Sequence, residues 1–453
     1  MDTDTIAAIA TASGNAGIGV IRVSGNHAAT IAEQLTGQQP EPRYATLSSF
    51  RDSNGDVIDS GIALFFPGPH SFTGQDVLEL QAHGGSVVMD MLLREVLSLG
   101  ARLAKPGEFS QRAFLNDKID LLQAEAIADV IESRSETALR SAQRSLSGEF
   151  SRQVYATVEQ CIRLRVYAEA AIDFPDEEID LLEDQQILSG LDDLESAIDA
   201  IHASANQGCL LKNGLTMVIT GKPNAGKSSL LNQLAGSGVA IVSPEAGTTR
   251  DAIREDIQIS GMPVRVIDTA GIRDTDNAVE LEGVERARAE LDKADIILLV
   301  VDLTDPNNAT TSNDLLAHLG FDAGHTLPVV VAYNKIDCVD QKPSCKGDKS
   351  GATIKLSAKS GDGIDLLKKA VGEIVGFNNA EESGFIARRR HLDALSRAQE
   401  ALKSGKNQLL QHAAGELLAE DLRQVQHCLG EITGAVSPDD LLGEIFSSFC
   451  IGK

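Results

Sequence analysis

The apolar run TMVITG leads directly into Gly221-Lys222-Pro223-Asn224-Ala225-Gly226-Lys227-Ser228, and SLLNQLAG follows with helical spacing. No other stretch limits the fold as strongly. A strand that turns through a glycine-bounded loop into a helix aims successive backbone amides at one point, where they can wrap phosphate oxygens. In this pattern Lys227 reaches the β and γ phosphates of a nucleoside triphosphate and Ser228 ligates Mg²⁺, with Asn224, Ala225, Gly226 and Ser229 completing the cradle. The bland alternative is a chance glycine-rich turn, and the strand and helix on either side count against it.

Three further motifs choose the base. VRVIDTAG puts Asp268 at the end of an apolar strand, where it can hold the Mg²⁺ shell; Thr269, Ala270 and Gly271 follow, and the Gly271 amide is placed to sense a γ phosphate. VVVAYNKID ends in Asn334-Lys335-Ile336-Asp337. A carboxylate at Asp337 can accept hydrogen bonds from guanine N1 and its exocyclic amine, whereas adenine has no matching donor pair. TIKLSAK brings Ser357, Ala358 and Lys359 to the same base edge. These elements follow one another on alternating strands, which makes GTP the expected nucleotide and an ATPase a poor alternative.

Between the phosphate loop and DTAG lies Gly247-Thr248-Thr249-Arg250-Asp251, the expected first switch, with Thr249 as a second Mg²⁺ ligand. Ordering this segment around nucleotide would couple the γ phosphate to motion. The residue after DTAG is Ile272, which cannot make the water-orienting hydrogen bond that glutamine makes in small signalling GTPases. Another group must orient the water. Asp274, Asp276, Glu280 and Glu282 lie close by, and equally read as a solvated switch helix.

At 453 residues the chain suggests two to four domains. Residues 1–118 read as mixed α/β, with the short apolar stretches IAAIAT and GVIRVSG, the strand-like VIDSGIALFF and VLELQAHGG and the helical SVVMDMLLREVLSLG. Long amphipathic helices are expected over 119–213, with a polar joint near Gln207-Gly208. The alternating region covers 214–376, and 377–453 is helical again. The two helical parts are expected to form one discontinuous domain with the nucleotide module, a Ras-like G domain, inserted between them. GNAGIGVIRVSG is a poor dinucleotide fingerprint, since it lacks a preceding strand and the downstream acid.

Six cysteines, at 161, 209, 338, 345, 428 and 450, form no CxxC pair or Cys/His cluster, which excludes a zinc set and suits a reducing cytoplasm. IILLVV is too short to span a membrane. The polar, acidic start lacks the pattern of a secretory signal. A net charge of −26 disfavours nonspecific nucleic-acid binding without excluding a local basic groove.

The chain resembles the MnmE (TrmE) family of tRNA modification GTPases along essentially its whole length. GVIRVSG, FTGQDVLELQAHGG, PGEFSQRAFLNDKIDLLQAEAIADVI, IDFPDEEID, the G motifs, FIARRRHL, GELLAEDLR and FSSFCIGK carry the likeness in order. It implies a homodimer whose G domains approach when GTP binds, and hydrolysis stimulated by K⁺. Asn224 stands at the potassium-ligating position of the phosphate loop; Ser243, Glu245 through its backbone carbonyl, and Thr248 match the remaining contacts in a segment that also holds Pro244 and Ala246. Glu280 matches the glutamate that orients water.

The resemblance further implies a heterotetramer with the FAD-carrying partner MnmG (GidA). Together they add an aminomethyl or carboxymethylaminomethyl group at C5 of the tRNA wobble uridine, with ammonium or glycine and a one-carbon unit from 5-formyltetrahydrofolate or methylenetetrahydrofolate. An N-terminal α+β folate-binding and dimerisation domain is implied, with contacts at Arg22, Glu79, Lys118 and Lys453. Without the resemblance, each of these reads as an ordinary surface or ion-pair residue. Cys450 stands in the terminal CIGK motif at the position of the cysteine that is important to modification in the family. Its FSSF neighbourhood also reads as a packed helix face. Two departures stand out: Gln75, where many relatives have an acid and where the edge of the folate-facing loop is expected to change, and Lys222, where arginine is common.

A GTP-driven assembly switch would account for the G motifs while leaving FIARRRHL and CIGK unexplained. A tRNA-recruiting module could use Arg388-Arg389-Arg390 on phosphates, although a basic run on a helix is often only a solvated face.

Overall fold

A computed structural model describes residues 4–12, 14–133, 135–173, 185–236, 254–268, 294–305, 327–348, 350–377, 384–412, 414–436 and 439–452. It begins with β1 (Thr5–Ile9), β2 (Ala16–Ser24), α1 (Ala28–Thr36), β3 (Thr46–Arg51), β4 (Val57–Phe66), β5 (Val77–Gly84), α2 (Ser86–Ser98), β6 (Ala101–Leu103) and α3 (Glu108–Leu115). The strands form one sheet in the order β3-β4-β5-β2-β1-β6. Alternation along the strands decides its two faces. Ile21, Val23, Ala63, Phe65, Leu78 and Leu80 are buried in one core with Ile31 and Leu35 of α1 and Leu92 and Val96 of α2. The residues between them point the other way, and the antiparallel register sets Arg22 of β2 opposite Glu79 of β5.

The glycine-containing 10–15 segment connects two antiparallel strands, β1 and β2. A strand does precede it, contrary to the sequence expectation. What the dinucleotide pattern lacks here is the following helix, and without that helix no N-terminus is available to a pyrophosphate.

Helices α4 (Leu121–Glu132), α5 (Glu136–Leu146), α6 (Glu149–Asp173) and α7 (Gln185–Asn213) come next. The joint expected at Gln207-Gly208 is absent; both residues lie within α7. Gly208 serves close packing instead, since a Cβ there would fall 2.2 Å from the Phe385 carbonyl oxygen.

After α7 come β7 (Leu215–Thr220), α8 (Lys227–Ala235), β8 (Arg254–Ile259), β9 (Met262–Asp268), β10 (Ile296–Asp302), β11 (Val329–Asn334), β12 (Ser344–Asp348), β13 (Gly351–Lys355) and α9 (Ile364–Val375). Their sheet runs β12-β13-β11-β10-β7-β9-β8. Strands β13, β11, β10, β7 and β9 are parallel, with antiparallel β8 and β12 at the edges. Every residue of β10 from Ile296 to Val301 is buried, as expected for a central strand covered on both faces. The chain moves from β7 to β9 on one side and to β10 on the other. This topological switch point leaves a crevice beyond the carboxyl ends of the strands, where ligands bind in open α/β sheets.

The last helices are α10 (Arg389–His412), α11 (Gly415–Thr433) and α12 (Asp439–Ser447). Helix α6 packs along α11, where the Cys161 thiol donates to the Leu422 carbonyl at 3.2 Å and Arg165 Nη1 donates to Gln426 Oε1 at 2.6 Å. Ile445, Phe446 and Phe449 share a core cluster with Leu121 and Ala124. Chain contacts gather into two compact units: Met1–Ile131, Ser145–Leu191 and Glu400–Lys453 in one, Glu132–Arg144 and Asp192–Gln399 in the other. Among the described residues no helix is long and apolar enough to cross a membrane.

Cysteine environments differ sharply. Cys161 and Cys428 are buried, whereas Cys338, Cys345 and Cys450 are exposed. Burial pushes the Cys161 thiol up to about 12, so its thiolate is scarce near neutral pH. An aromatic disulfide reagent at pH 8 will modify Cys338, Cys345 and Cys450 in the native protein, and Cys161 and Cys428 only after denaturation. Peptide mapping of the labelled thiols checks this order.

Candidate nucleotide site and the N-terminal sheet cluster

The phosphate loop leaves β7 at Gly221 and enters α8 at Lys227. Its glycines are dictated by crowding. Gly221 has φ +152° and a Cβ there would lie 2.2 Å from the Val300 carbonyl oxygen; Gly226 has φ +98° and a Cβ would meet Asn334 Nδ2 at 2.2 Å. Asn224 also takes a left-handed conformation, φ +65°, which asparagine tolerates better than most residues. Ala225 is buried, while Asn224, Ser228 and Ser229 are exposed. Lys227 Nζ donates to the Gly221 carbonyl at 2.9 Å, which holds the ammonium over the loop. Lys222 instead pairs with Asp305 at 3.0 Å.

Asn334 joins this loop to the base-recognition loops. Its side chain is buried; Nδ2 donates to the Ala225 carbonyl at 2.8 Å, and Oδ1 accepts from the amides of Lys335 and Ala358, each at 2.8 Å. Lys335, at φ +71°, extends its ammonium to Asp302 at 2.6 Å. Burial pushes the Asp302 carboxyl up, but Lys335 and Thr304 outweigh it and hold it low. Asp302 was not named from the sequence, although it closes the apolar strand β10 just as Asp268 closes β9. Asp337 is exposed, and the Ser357 hydroxyl donates to its Oδ1 at 2.7 Å. That hydrogen bond holds the Asp337 carboxyl below the usual range, keeping it an acceptor as guanine recognition requires. Lys359 is exposed one residue beyond Ala358.

Asp268 is the last residue of β9, paired in register with Ile219 of β7. Ser243, Pro244, Glu245, Ala246, Gly247, Thr248 and Thr249 lie outside the described residues, as do Thr269, Ala270, Gly271, Ile272, Asp274, Asp276, Glu280, Glu282 and Lys453.

A second cluster occupies the sheet face opposite α1 and α2. Arg22 Nε donates to Glu79 Oε1 at 2.9 Å, and its guanidinium carbon lies 5.9 Å from the ring centroids of both Phe72 and Phe109. Arg22 Nη1 also donates to the Gly452 carbonyl at 3.3 Å, bringing the CIGK segment to this face. Lys118 follows α3 and is exposed. Beside them Arg102 grips Glu108 with two hydrogen bonds, at 2.9 and 2.6 Å, and also pairs with Asp4. Arg112 reaches Asp4 at 2.7 Å and Glu108 at 3.1 Å. Burial pushes the Glu108 carboxyl up, but the two guanidiniums and the Lys105 amide prevail and hold it below its ordinary 4.5.

This architecture and these geometries define a P-loop protein of the GTPase class, carrying an N-terminal sheet domain and long flanking helices. Residues 5–118 match the model of the GTP-binding protein TrmE N-terminus, and residues 121–450 match that of the MnmE helical domain. The tRNA modification GTPase MnmE of Marinobacter nauticus is 54% identical over 453 residues, covering 100% of this chain and 99% of that protein. The same-named proteins of Saccharophagus degradans and Pseudomonas putida are 55% and 57% identical, each aligned over 99% of both chains. The chain belongs to the MnmE family of tRNA modification GTPases.

Two outcomes follow from these contacts. Asn334→Ala leaves two buried backbone partners, the Ala225 carbonyl and the Ala358 amide, without their hydrogen bonds, at about 1–3 kcal/mol each, so affinity for a fluorescent GDP analogue will fall about tenfold or more. Glu108 has a folded-state pKa below 4.5, so its contribution to stability is complete above that value and is lost as pH falls through the lower folded value. Glu108→Gln will therefore melt below the wild type at pH 7, and the gap in thermal midpoint will narrow toward pH 3.

Proposed function

We infer that this chain is a GTP hydrolase which, with the FAD-carrying partner MnmG, adds an aminomethyl or carboxymethylaminomethyl group at C5 of the tRNA wobble uridine. The end-to-end match to curated tRNA modification GTPases above 50% identity carries this reading. The protein works in the cytoplasm as a homodimer that assembles with MnmG and acts on tRNA. It uses K⁺, Mg²⁺ and a folate one-carbon donor. The division we favour is 1–118 for folate binding and dimerisation, 119–213 and 377–453 for the helical domain, and 214–376 for the G domain.

In the nucleotide site Lys227 and the loop amides hold the phosphates, Asp337 and Ser357 read guanine, and Asn334 keeps the two halves in register. The exposed carboxamide of Asn224 offers a hard oxygen suited to K⁺, with Ser243, Glu245 and Thr248 as the further ligands; Ser228 and Thr249 suit Mg²⁺. The cations supply positive charge against the charge that develops on the transferring phosphoryl group. Glu280 orients the attacking water in place of the glutamine that Ile272 displaces. At the N-terminal sheet, Arg22 and Lys118 suit the anionic tail of a folate, with Lys453 as a further contact, and Glu79 can accept from its pterin. Cys450, exposed in the tail, is the candidate catalytic residue there.

Reconstitution with MnmG, tRNA, FAD, a folate donor, GTP and K⁺, read by mass spectrometry of the nucleosides, will yield the C5-modified wobble uridine only when this chain is present. Glu280→Ala will bind GTP normally yet turn it over about 10²-fold or more slowly, within the range expected for losing a group that assists proton transfer or positioning. Modification that proceeds without the chain would sink the pathway assignment; unchanged turnover would sink only the role of Glu280.

A further inference from the structure

We propose that Gln75 is a positioning residue for the anion-binding face of the N-terminal sheet: its amide oxygen ties the loop beneath Arg22 and Lys118 to β2 and α3. This assignment rests on the folate reading of that face. Arg22 and Lys118 come from different elements, yet both lean on the connection between β4 and β5. Phe72 offers its ring to the Arg22 guanidinium at 5.9 Å. Gly74, at φ +78°, leaves room for the Lys118 stem; a Cβ at this glycine would lie 3.4 Å from Lys118 Cδ and 3.0 Å from Asn116 Cβ. The spacing of the two cations is therefore set by the conformation of residues 71–76.

Gln75 lies at the centre of the hydrogen bonds that hold this conformation. Its Oε1 accepts from Arg112 Nη1 at 2.9 Å and from Ser24 Oγ at 3.1 Å, and its carbonyl accepts from Ser71 Oγ. Ser24 and Thr73 hydroxyls meet at 2.7 Å, and Asn116 Nδ2 donates to the Thr73 carbonyl at 2.7 Å. The Arg112 side chain is only 6% exposed, so it cannot follow a displaced loop into water. From the sequence, Gln75 is expected to change the edge of the folate-facing loop. Its side chain points inward, however, onto a network in which Arg102 and Arg112 face Asp4 and Glu108. The two positive and two negative charges already balance, and glutamine adds an acceptor without adding charge.

Titration calorimetry of the full-length protein with 5-formyltetrahydrofolate tests the assignment, using wild type, Gln75→Leu, Gln75→Asn, Gln75→Glu and Arg22→Ala. Gln75→Leu will bind about tenfold or more weakly, because Arg112 and Ser24 each lose an acceptor. Gln75→Glu keeps that acceptor and will stay within about threefold of the wild type. Should Gln75→Leu fail to fold, Gln75→Asn, polar but one methylene too short, carries the same expected loss. Wild-type affinity in the Leu or Asn variant, or an equal loss in the Glu variant, overturns the positioning role alone. A wild type that does not bind, or an Arg22→Ala variant that binds as well as the wild type, overturns the folate reading and the assignment with it.

Discussion

The nucleotide site depends on one buried carboxamide. Phosphate binding and base recognition come from segments more than a hundred residues apart, and a guanine nucleotide needs both at a fixed separation. Asn334 supplies that separation through its bonds to the Ala225 carbonyl and the Ala358 amide. A carboxamide is suited to the task because it donates and accepts at once; aspartate offers no donor and leucine neither. Gly226 is the matching concession in the phosphate loop, since any side chain there would occupy the space of the Asn334 amide.

The rest of this unit serves the same end. Parallel pairing of β7, β10 and β11 aligns their carboxyl ends, and the full burial of β10 gives the crevice a rigid floor. Asp302, at the end of that floor, orients Lys335, whose left-handed backbone turns the chain toward Asp337. The side chains of Asn334, Lys335 and Asp337 are therefore each held by a neighbour, which lowers the ordering cost of binding.

Much of this was legible in the sequence because the phosphate loop and the base motifs are local: each fits within a few residues, and its chemistry follows from spacing. In the N-terminal domain β4 and β5 were legible for the same reason, as apolar runs closed by turn residues, whereas β3 and β6, short or polar at the sheet edges, were not. Legibility ends where contacts are long-range. Nothing near Gln207-Gly208 announces that Phe385 packs there, so a close helix contact read as a polar joint. Arg112 looks like an ordinary surface residue of an amphipathic helix until Asp4 and Gln75, distant in sequence, converge on it. Asp302 could have been found, because an acid ending an apolar strand is the signal that identified Asp268.

In the C-terminal motif a packed aromatic face lies beside an exposed thiol. Phe446 and Phe449 are buried against Leu121 and Ala124, which is the packed face that FSSF suggested. Cys450 is exposed immediately beyond them, while its carbonyl accepts from the Gly107 amide at 3.4 Å. Gly452 then takes φ +92°, where a Cβ would crowd the Ile9 carbonyl oxygen at 2.6 Å, and hands its own carbonyl to Arg22. Packing and backbone contacts thus anchor the segment on either side of the thiol and leave the thiol itself in solvent. Glycine at 452 is what allows the chain to reach Arg22, so the sulfur and the cationic face are held near one another by a residue that carries no chemistry of its own.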